Sequence, residues 1–258
     1  MTPLQLIACP VSAAAVAAAE PLLSPTERAR AETQAVARRT TWTIGRALLR
    51  QTLSTVLNCS ATDIAFRRGA RGKLELAQPR AINAPAFNLS HTAEWVVVAL
   101  GASGAVGVDI DQAGRELDPL RIARRYFSTA EVTWLQQLTP AEQREQFMVL
   151  WTFKEAFVKA LGCGIAGGLS RTAFAVASNE SLQLQADAGW SGPVSGWQWR
   201  IPGELGVSWL ALIALAPCNA AVTPSLQLAQ PRADAGFDTL PWSSPQLSRT
   251  LDRPSAEE

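Results

Sequence analysis

The sequence is short of lysine, histidine and cysteine, and each shortage bears on what the protein does. Lys73, Lys154 and Lys159 are the only lysines among 23 basic residues, and His91 is the only histidine. Because a compact ammonium and a planar guanidinium do different work, these few side chains are candidates for chemistry. The four cysteines are widely spaced and form no CxxC pair, which argues against a disulfide framework or a zinc site. We therefore expect reduced thiols in a cytoplasmic protein.

Long apolar runs and a strong net charge are also missing. The longest apolar runs begin at Trp95 and Val207, and they fall far short of the roughly 20 residues that a membrane helix needs. The alanine-rich N-terminus lacks a basic segment and carries Pro10 before its alanines, so we expect no signal peptide. A formal net charge of +1 argues against nucleic-acid binding through bulk positive charge.

Helix starts are well marked in the sequence that is present. Ser24-Pro25-Thr26-Glu27 is a capping box that predicts a helix through residue 39, and a second helix or a continuation follows to residue 57. Thr139-Pro140 with Glu142 opens a long predicted helix that Gly162 closes. Alternating apolar and polar residues then predict antiparallel strands. These lie at 172–177, 181–186, 197–201 and 207–215.

The order of the predicted elements, helices then strands and again helices then strands, hints at two similar halves that meet near Ser103. Residues 95–111 read as a hairpin that turns at 102–104, so we assign one half to residues 1–103 and the other to 104–218. From residue 219 to 258 proline, serine and alanine dominate, which predicts a poorly ordered tail.

The stretch GVDID at 107–111 places Asp109 and Asp111 on one side of an apolar strand. Carboxylates are rarely buried unless they are paired or bind a metal. One interpretation is a solvent-facing edge strand, with Glu155 and Lys159 forming an exposed pair along their helix. The other combines the three carboxylates with the rare lysines as a magnesium and polyphosphate site, because magnesium prefers oxygen ligands and substrate phosphates.

GVDID, the later WTFKEAFVKALG and the earlier FNLSH and RGK together resemble the Sfp-type 4′-phosphopantetheinyl transferases. The resemblance covers about residues 20–216. It implies a pseudo-dimeric α+β fold whose two similar halves bind coenzyme A in the cleft between them. It also implies an enzyme of the holo-[acyl-carrier-protein] synthase type. Such an enzyme transfers the phosphopantetheine arm of coenzyme A to a serine of an apo acyl or peptidyl carrier protein and leaves adenosine 3′,5′-bisphosphate.

The resemblance also implies roles for particular residues. Asp109, Asp111 and Glu155 match the ligands of Mg²⁺, which Mn²⁺ can replace, and Glu155 is also the candidate base for the carrier serine. Lys159 matches a catalytic residue that contacts the coenzyme A phosphates. Lys154 matches a catalytic position whose role is either substrate contact or support of the carboxylates.

In the N-terminal half the resemblance implies a set of coenzyme A contacts with phosphate and adenine. These are Arg30, with Arg28 as the alternative, then Arg68, Arg71, Gly72 and Lys73 in a basic turn, and Ser90 and His91 in FNLSH. For Arg68 and Arg71 a solvated loop is an equal interpretation.

Two other functions stay open at this point. One is a non-catalytic member of the same fold that binds coenzyme A or a carrier protein, and the other is an unrelated magnesium phosphotransferase. We expect a monomer with no nucleic-acid or membrane partner. Arg121, Arg124 and Arg125 form either a docking face for an acidic carrier protein or a solvated helix face. The sequence does not identify the pathway of that carrier.

Overall fold

The chain folds as two units in a computed structural model. Unit 1 comprises Met1–Ser103 and Pro224–Ser243, and unit 2 comprises Gly104–Thr223 and Ser244–Glu258. The structure describes residues 4–69, 72–79, 84–101, 104–112, 117–164, 168–176, 181–187, 189–215, 224–243 and 245–252. None of the helices in these ranges combines the length and apolar character that a bilayer crossing requires.

Unit 1 is a five-stranded sheet with helices and a separate two-stranded ribbon. Its elements are β1 (Gln5–Pro10), α1 (Ala13–Ala19), α2 (Pro25–Glu32), α3 (Val36–Leu57), β2 (Ala65–Arg68), β3 (Leu74–Gln78), β4 (Ala86–His91), β5 (Trp95–Gly101), β11 (Ser225–Pro231) and β12 (Phe237–Pro241). The sheet order is β12-β11-β1-β5-β4, and β2 pairs with β3. The apolar face of α3, with Ile44, Leu48 and Leu49, belongs to the same buried core as Val96 and Val98 of β5.

Unit 2 repeats the combination of a mixed sheet and one long helix. Its elements are β6 (Ala105–Gln112), α4 (Pro119–Tyr126), α5 (Thr129–Gln136), α6 (Pro140–Leu161), β7 (Thr172–Val176), β8 (Ser181–Asp187), β9 (Ser195–Gly203), β10 (Gly206–Leu215) and β13 (Gln246–Asp252). The sheet order is β6-β10-β9-β13-β8-β7. Helices and sheets in two units confirm the predicted α+β class.

The predicted helix starts at Ser24 and Thr139 and the helix end at Gly162 are confirmed. The predicted extent of the first helix to residue 39 is wrong, because α2 ends at Glu32 and residues 36–39 belong to α3. Ser24 and Glu27 form the capping box of α2, with the Ser24 amide donating to the Glu27 carboxylate at 3.0 Å. Residues 33–35 separate α2 from α3, so the second helix is not a continuation of the first. Thr139 caps α6, and Gly162 ends it with a positive φ of 67°, a conformation that glycine adopts without strain.

Strand β6 and helix α6 approach each other closely at Gly107. A methyl group at this position would overlap the backbone carbonyl of Ala156 and press on the amide of Ala160. Only a residue without a side chain permits this approach, and the approach brings the carboxylates of β6 to the helix that carries Glu155.

The predicted hairpin over residues 95–111 is wrong. β5 pairs with β1 on one side and β4 on the other, whereas β6 pairs with β10 in the sheet of unit 2. Both edges of β5 are therefore filled, and no pairing position is left for β6. Residues 102 and 103 of the predicted turn lie outside the described residues.

The predicted poorly ordered tail is wrong for Ser225–Pro231, Phe237–Pro241 and Gln246–Asp252, which form strands; residues 219–223, 244 and 253–258 lie outside the described residues. β11 pairs in parallel with β1 in unit 1, and β13 lies between β9 and β8 in unit 2. The tail composition hid these strands, but apolar side chains such as Ala229, Phe237 and Leu251 are buried. Their burial and the paired backbone offset the ordering entropy of the segment.

Candidate active site

A cluster of charged side chains forms where β6 packs on α6 in unit 2. Asp109 and Asp111 come from β6, and Glu155 and Lys159 come from α6 one helical turn apart. The Lys159 ammonium donates to Asp109 Oδ1 at 2.6 Å and to the Val108 carbonyl at 3.2 Å. These two hydrogen bonds join Lys159 to strand β6, in contrast to the alternative of an exposed pair along the helix.

Burial and mutual repulsion define the electrostatics of this cluster. Glu155 is 5% exposed, and burial raises the pKa of its carboxyl group to about 7, with further upward contributions from Asp109 and Asp111 against the opposing effect of Lys159. Burial also raises the pKa of Asp111, and Asp109 adds to that increase. The backbone amide of Gln112 donates to Asp111 Oδ1 at 2.7 Å, and this hydrogen bond opposes the increase in the pKa of Asp111. One lysine is therefore set against three crowded carboxylates.

The donor chemistry of this cluster fits a hard divalent cation. Three carboxylates supply the oxygen ligands that magnesium and manganese prefer. A cation would relieve the repulsion from Asp109 and Asp111, which adds to the main effect of burial on the pKa of Glu155. Across the described ranges, no set of three acidic, histidine or cysteine side chains is already arranged to hold a metal. Asp109 is instead paired with Lys159.

Lys154 does not reach this cluster. Its side chain is fully buried on another face of α6, where the ammonium lies 2.9 Å from Glu131 Oε2 of α5. It also donates to the carbonyls of Leu169 and Thr172. These contacts with the interior of unit 2 argue against the predicted role of Lys154 in substrate contact. The alternative role, support of the carboxylates, stays a prediction.

Hydrogen bonds hold the described residues of the predicted basic turn in unit 1. Arg68 donates to the Gly72 carbonyl at 3.0 Å, the Gly69 amide donates to the Lys73 carbonyl at 2.8 Å, and Gly72 has a positive φ of 82°. Burial lowers the pKa of the Lys73 ammonium, with Glu75 opposing that shift. Arg71 lies outside the described residues.

Ser90 and His91 are the last two residues of β4. They pair with Val97 and Val96 of β5, which fixes their positions at the edge strand of the unit 1 sheet. Ser90 is buried and His91 is exposed.

Arg30 lines a cavity of about 340 Å³ in unit 1 together with Arg46 and Arg50. Glu27 holds Arg50 Nε at 2.6 Å and Arg46 Nε at 3.4 Å. The Arg46 guanidinium also lies 4.7 Å from the centre of the Phe66 ring. Its Nη1 atom is buried without a hydrogen-bond partner in the described structure. Three arginines and one glutamate line this cavity, so the charge of its lining favours an anion.

The alternative residue Arg28 is engaged elsewhere. Its guanidinium donates to the Leu23 carbonyl at 2.6 Å, and Arg28 is not among the residues that line the cavity. Of the two alternatives, Arg30 is the one that lines the cavity, and its contact with phosphate stays a prediction.

Comparison with known proteins gives these two units a common family. Residues 105–210 match the 4′-phosphopantetheinyl transferase superfamily model, and residues 10–103 match the N-terminal 4′-phosphopantetheinyl transferase model. The Synechocystis protein slr0495, which its name assigns to these transferases, is 34% identical over 168 residues, covering 65% of this chain and 68% of the relative. The chain belongs to the 4′-phosphopantetheinyl transferase family.

Other relatives of this phosphopantetheinyl transferase family member match over shorter segments. The 4′-phosphopantetheinyl transferase gsp of Aneurinibacillus migulanus is 38% identical over 47% of this chain and 48% of the relative. Sfp of Bacillus subtilis is 31% identical over 56% of this chain and 61% of the relative. The chain thus spans about half to two thirds of the length of these relatives.

Three residues of this family member have roles that the sequence analysis missed. Trp151 was given no role of its own, but its indole donates a hydrogen bond to Asp111 and stacks on the Phe147 ring with the ring centres 5.7 Å apart. Arg46 and Arg50 of the second helix were also given no role. Their spacing of four on one helix face was the available signal, but their shared partner Glu27 lies on another helix.

Proposed function

We propose that this protein is a magnesium-dependent 4′-phosphopantetheinyl transferase that modifies a serine of an apo acyl or peptidyl carrier protein. Coenzyme A is the donor and adenosine 3′,5′-bisphosphate is the second product. The observation that carries the proposal is the cluster of Asp109, Asp111, Glu155 and Lys159 in unit 2 of a chain that belongs to this family.

The reaction forms a bond between the serine oxygen and phosphorus and breaks the pyrophosphate bond of coenzyme A. The requirement is to neutralise growing negative charge and to align the serine. Bound by Asp109, Asp111 and Glu155, magnesium would supply this neutralisation at the pyrophosphate oxygens. Lys159 is 29% exposed and adds a point charge that can turn to the same phosphates.

Glu155 accepts the serine proton in this proposal, directly or through a water molecule. The pKa of about 7, raised mainly by burial, belongs to Glu155 without a metal. A bound cation would lower this pKa and keep the carboxylate ionised, as a proton acceptor must be. Trp151 supports the neighbouring Asp111 by donating its indole hydrogen to that carboxylate.

Unit 1 supplies the groups that bind the remaining parts of coenzyme A in this proposal. Arg30 and Arg46 offer guanidinium donors in the cavity, and the buried Nη1 of Arg46 has no partner in the described structure. The 3′-phosphate is an anion of the size and charge that such donors bind well. The basic turn at Arg68–Lys73, with Ser90 and His91, provides further phosphate and adenine contacts.

The carrier protein and cellular setting are further parts of the proposal. Arg121, Arg124 and Arg125 are exposed on α4, and such a basic face would attract an acidic carrier protein. We propose a monomeric cytoplasmic enzyme, since the chain itself contains two units of helices and sheet.

The decisive experiment measures carrier mass. The protein is incubated with coenzyme A, magnesium and purified apo carrier proteins from fatty acid, polyketide and nonribosomal peptide pathways. A carrier that gains the mass of phosphopantetheine supports the proposal and identifies the pathway. No gain with any carrier, while coenzyme A still binds, would instead indicate a non-catalytic member. Activity on free nucleotides without a carrier would indicate an unrelated phosphotransferase.

Two variants of helix α6 sharpen this experiment. Glu155→Gln should abolish the mass gain and leave most of the coenzyme A affinity. Glu145→Gln is the matched control, because Glu145 lies on the same helix in an exposed pair with Arg200, and it should behave like the wild type. Retained turnover in Glu155→Gln would remove Glu155 from the role of base.

A further inference from the structure

Helix α6 carries a second buried ion pair that the proposed reaction does not use. Lys154 and Glu131 meet at 2.9 Å, and their side chains are 0% and 1% exposed. Lys154 stands next to Glu155 in the sequence, so the two side chains leave the helix about 100° apart. The pair is therefore next to the carboxylate cluster along the chain but faces another side of the helix.

The ammonium of Lys154 is fully occupied. It has three N–H donors, and it has three acceptors in Glu131 Oε2 and the carbonyls of Leu169 and Thr172. The ring centre of Phe127 lies 4.9 Å from the ammonium nitrogen. With all three donors in use inside unit 2, Lys154 has none to offer to a substrate.

Glu131 extends the connection to two further elements. Its Oε2 accepts from the backbone amide of Ser128 at 2.7 Å and so caps helix α5. Its Oε1 accepts from the backbone amide of Phe174 at 3.0 Å on strand β7. One carboxylate thus joins the start of α5, strand β7 and the middle of α6.

The opposite constraint on α6 comes from strand β6. At Gly107 the strand approaches so closely that an added methyl group would overlap the backbone of Ala156. The helix is therefore held at Gly107 by contact and at Lys154 by an ion pair. Two attachments on different sides fix both the distance of α6 from β6 and its rotation about its own axis, and this rotation sets where Glu155 points.

We propose that Lys154 and Glu131 are positioning residues, which hold α6 in the rotation that brings Glu155 to Asp109 and Asp111. The inference rests on the proposed transferase function and gives Lys154 a role that does not involve contact with coenzyme A. Residues that orient metal-binding and catalytic side chains typically change metal affinity or activity by about 10-fold to 100-fold when they are replaced.

The test compares two variants with a matched control. Glu131→Gln removes the charge that faces Lys154 and keeps one of the two acceptor oxygens, so it can still accept from either the Ser128 or the Phe174 amide but not from both. The double variant Glu131→Gln with Lys154→Met removes both charges and keeps the volumes similar, so no unpaired buried charge remains. Glu145→Gln breaks an exposed ion pair between α6 and β9 and serves as the control.

Four quantities are measured for each protein: folding by circular dichroism, Mn²⁺ affinity by electron paramagnetic resonance titration, coenzyme A affinity by calorimetry, and kcat with KM. We expect both test variants to fold, with kcat and Mn²⁺ affinity lowered by about 10-fold or more. The Kd and KM for coenzyme A should stay within about twofold, because only the catalytic geometry has changed. The control should match the wild type in all four quantities.

Three results would overturn the inference. A large rise in the Kd for coenzyme A with unchanged Mn²⁺ affinity would place Lys154 in contact with the substrate. Wild-type kcat and Mn²⁺ affinity in folded variants would show that the pair orients nothing. Failure of both variants to fold would make the pair a requirement for folding only. An inactive wild type would instead remove the proposed function, while its Mn²⁺ comparison with the variants would still test the positioning.

Discussion

Replacing Glu155 with glutamine should make the metal-free protein less sensitive to pH. In the folded protein the pKa of Glu155 is about 7, and its ordinary value is 4.5. The folded state therefore binds this proton more tightly than the unfolded state does. The resulting contribution to stability is complete below about pH 4.5 and is lost as the pH rises through 7.

The magnitude follows from this shift. One unit of pKa corresponds to about 1.4 kcal/mol, so the free energy of unfolding of the wild type should fall by about 2 to 3 kcal/mol between about pH 5 and pH 8.5 from this group. Glutamine cannot ionise, so the Glu155→Gln variant lacks this decrease. The difference in stability between variant and wild type should therefore move in favour of the variant by that amount as the pH rises.

Urea unfolding in the presence of a chelator measures this difference at several pH values. Glu145→Gln is again the control, because Glu145 is exposed on the same helix, and its curve should run parallel to the wild type. Parallel curves for Glu155→Gln and wild type would refute the reasoning, since they would mean that Glu155 titrates alike in the folded and unfolded states. Added magnesium should stabilise the wild type at pH 8 more than the variant, because metal binds the folded carboxylates.

Three further outcomes are expected. Gly107→Ala should lower the free energy of unfolding by about 1 to 3 kcal/mol in urea, as overpacking does; an unchanged value would mean that β6 and α6 can separate without cost. Truncation after Ser243 removes β13 from its place between β9 and β8, so limited proteolysis should cut the β7 and β8 region faster than in the full chain; equal rates would show that β13 is dispensable. Arg46→Met should weaken coenzyme A binding in calorimetry by about 10-fold or more, the value of a charge-assisted hydrogen bond, whereas Arg39→Met, at an exposed position of the same helix, should not.

The carboxylate cluster was predictable because local geometry determines it. Residues two apart in a strand face one side, and residues four apart in a helix share one face, so Asp109 with Asp111 and Glu155 with Lys159 form two pairs before any tertiary contact is known. The contact between the pairs needed the structure. Gly107, which permits that contact, carries no side chain and so leaves no periodic signal of its own.

Long-range pairing explains what the sequence analysis got wrong. The stretch from Trp95 to Asp111 has the length and the turn residues of a hairpin, but β5 already pairs with β1 and β4. The segment after residue 219 has the composition of a tail, yet its strands add to sheets formed by residues much earlier in the chain. Local composition carries no information about which strand edges the rest of the fold leaves open.

The two lysines of α6 also differ in a way that only the structure shows, and the difference explains their separate roles in the proposals. In sequence they look alike, each beside a carboxylate in a helical pattern, and each forms an ion pair with an acidic residue from another element. Lys159 is paired with Asp109 at 2.6 Å but is 29% exposed, whereas Lys154 is paired with Glu131 at 2.9 Å with no exposure at all. An accessible ion pair can exchange its partner for a phosphate at modest cost, while a sealed pair is costly to break once its charges are buried. The exposed Lys159 is therefore suited to bind phosphate in the reaction, and the buried Lys154 is suited to hold Glu155 in position.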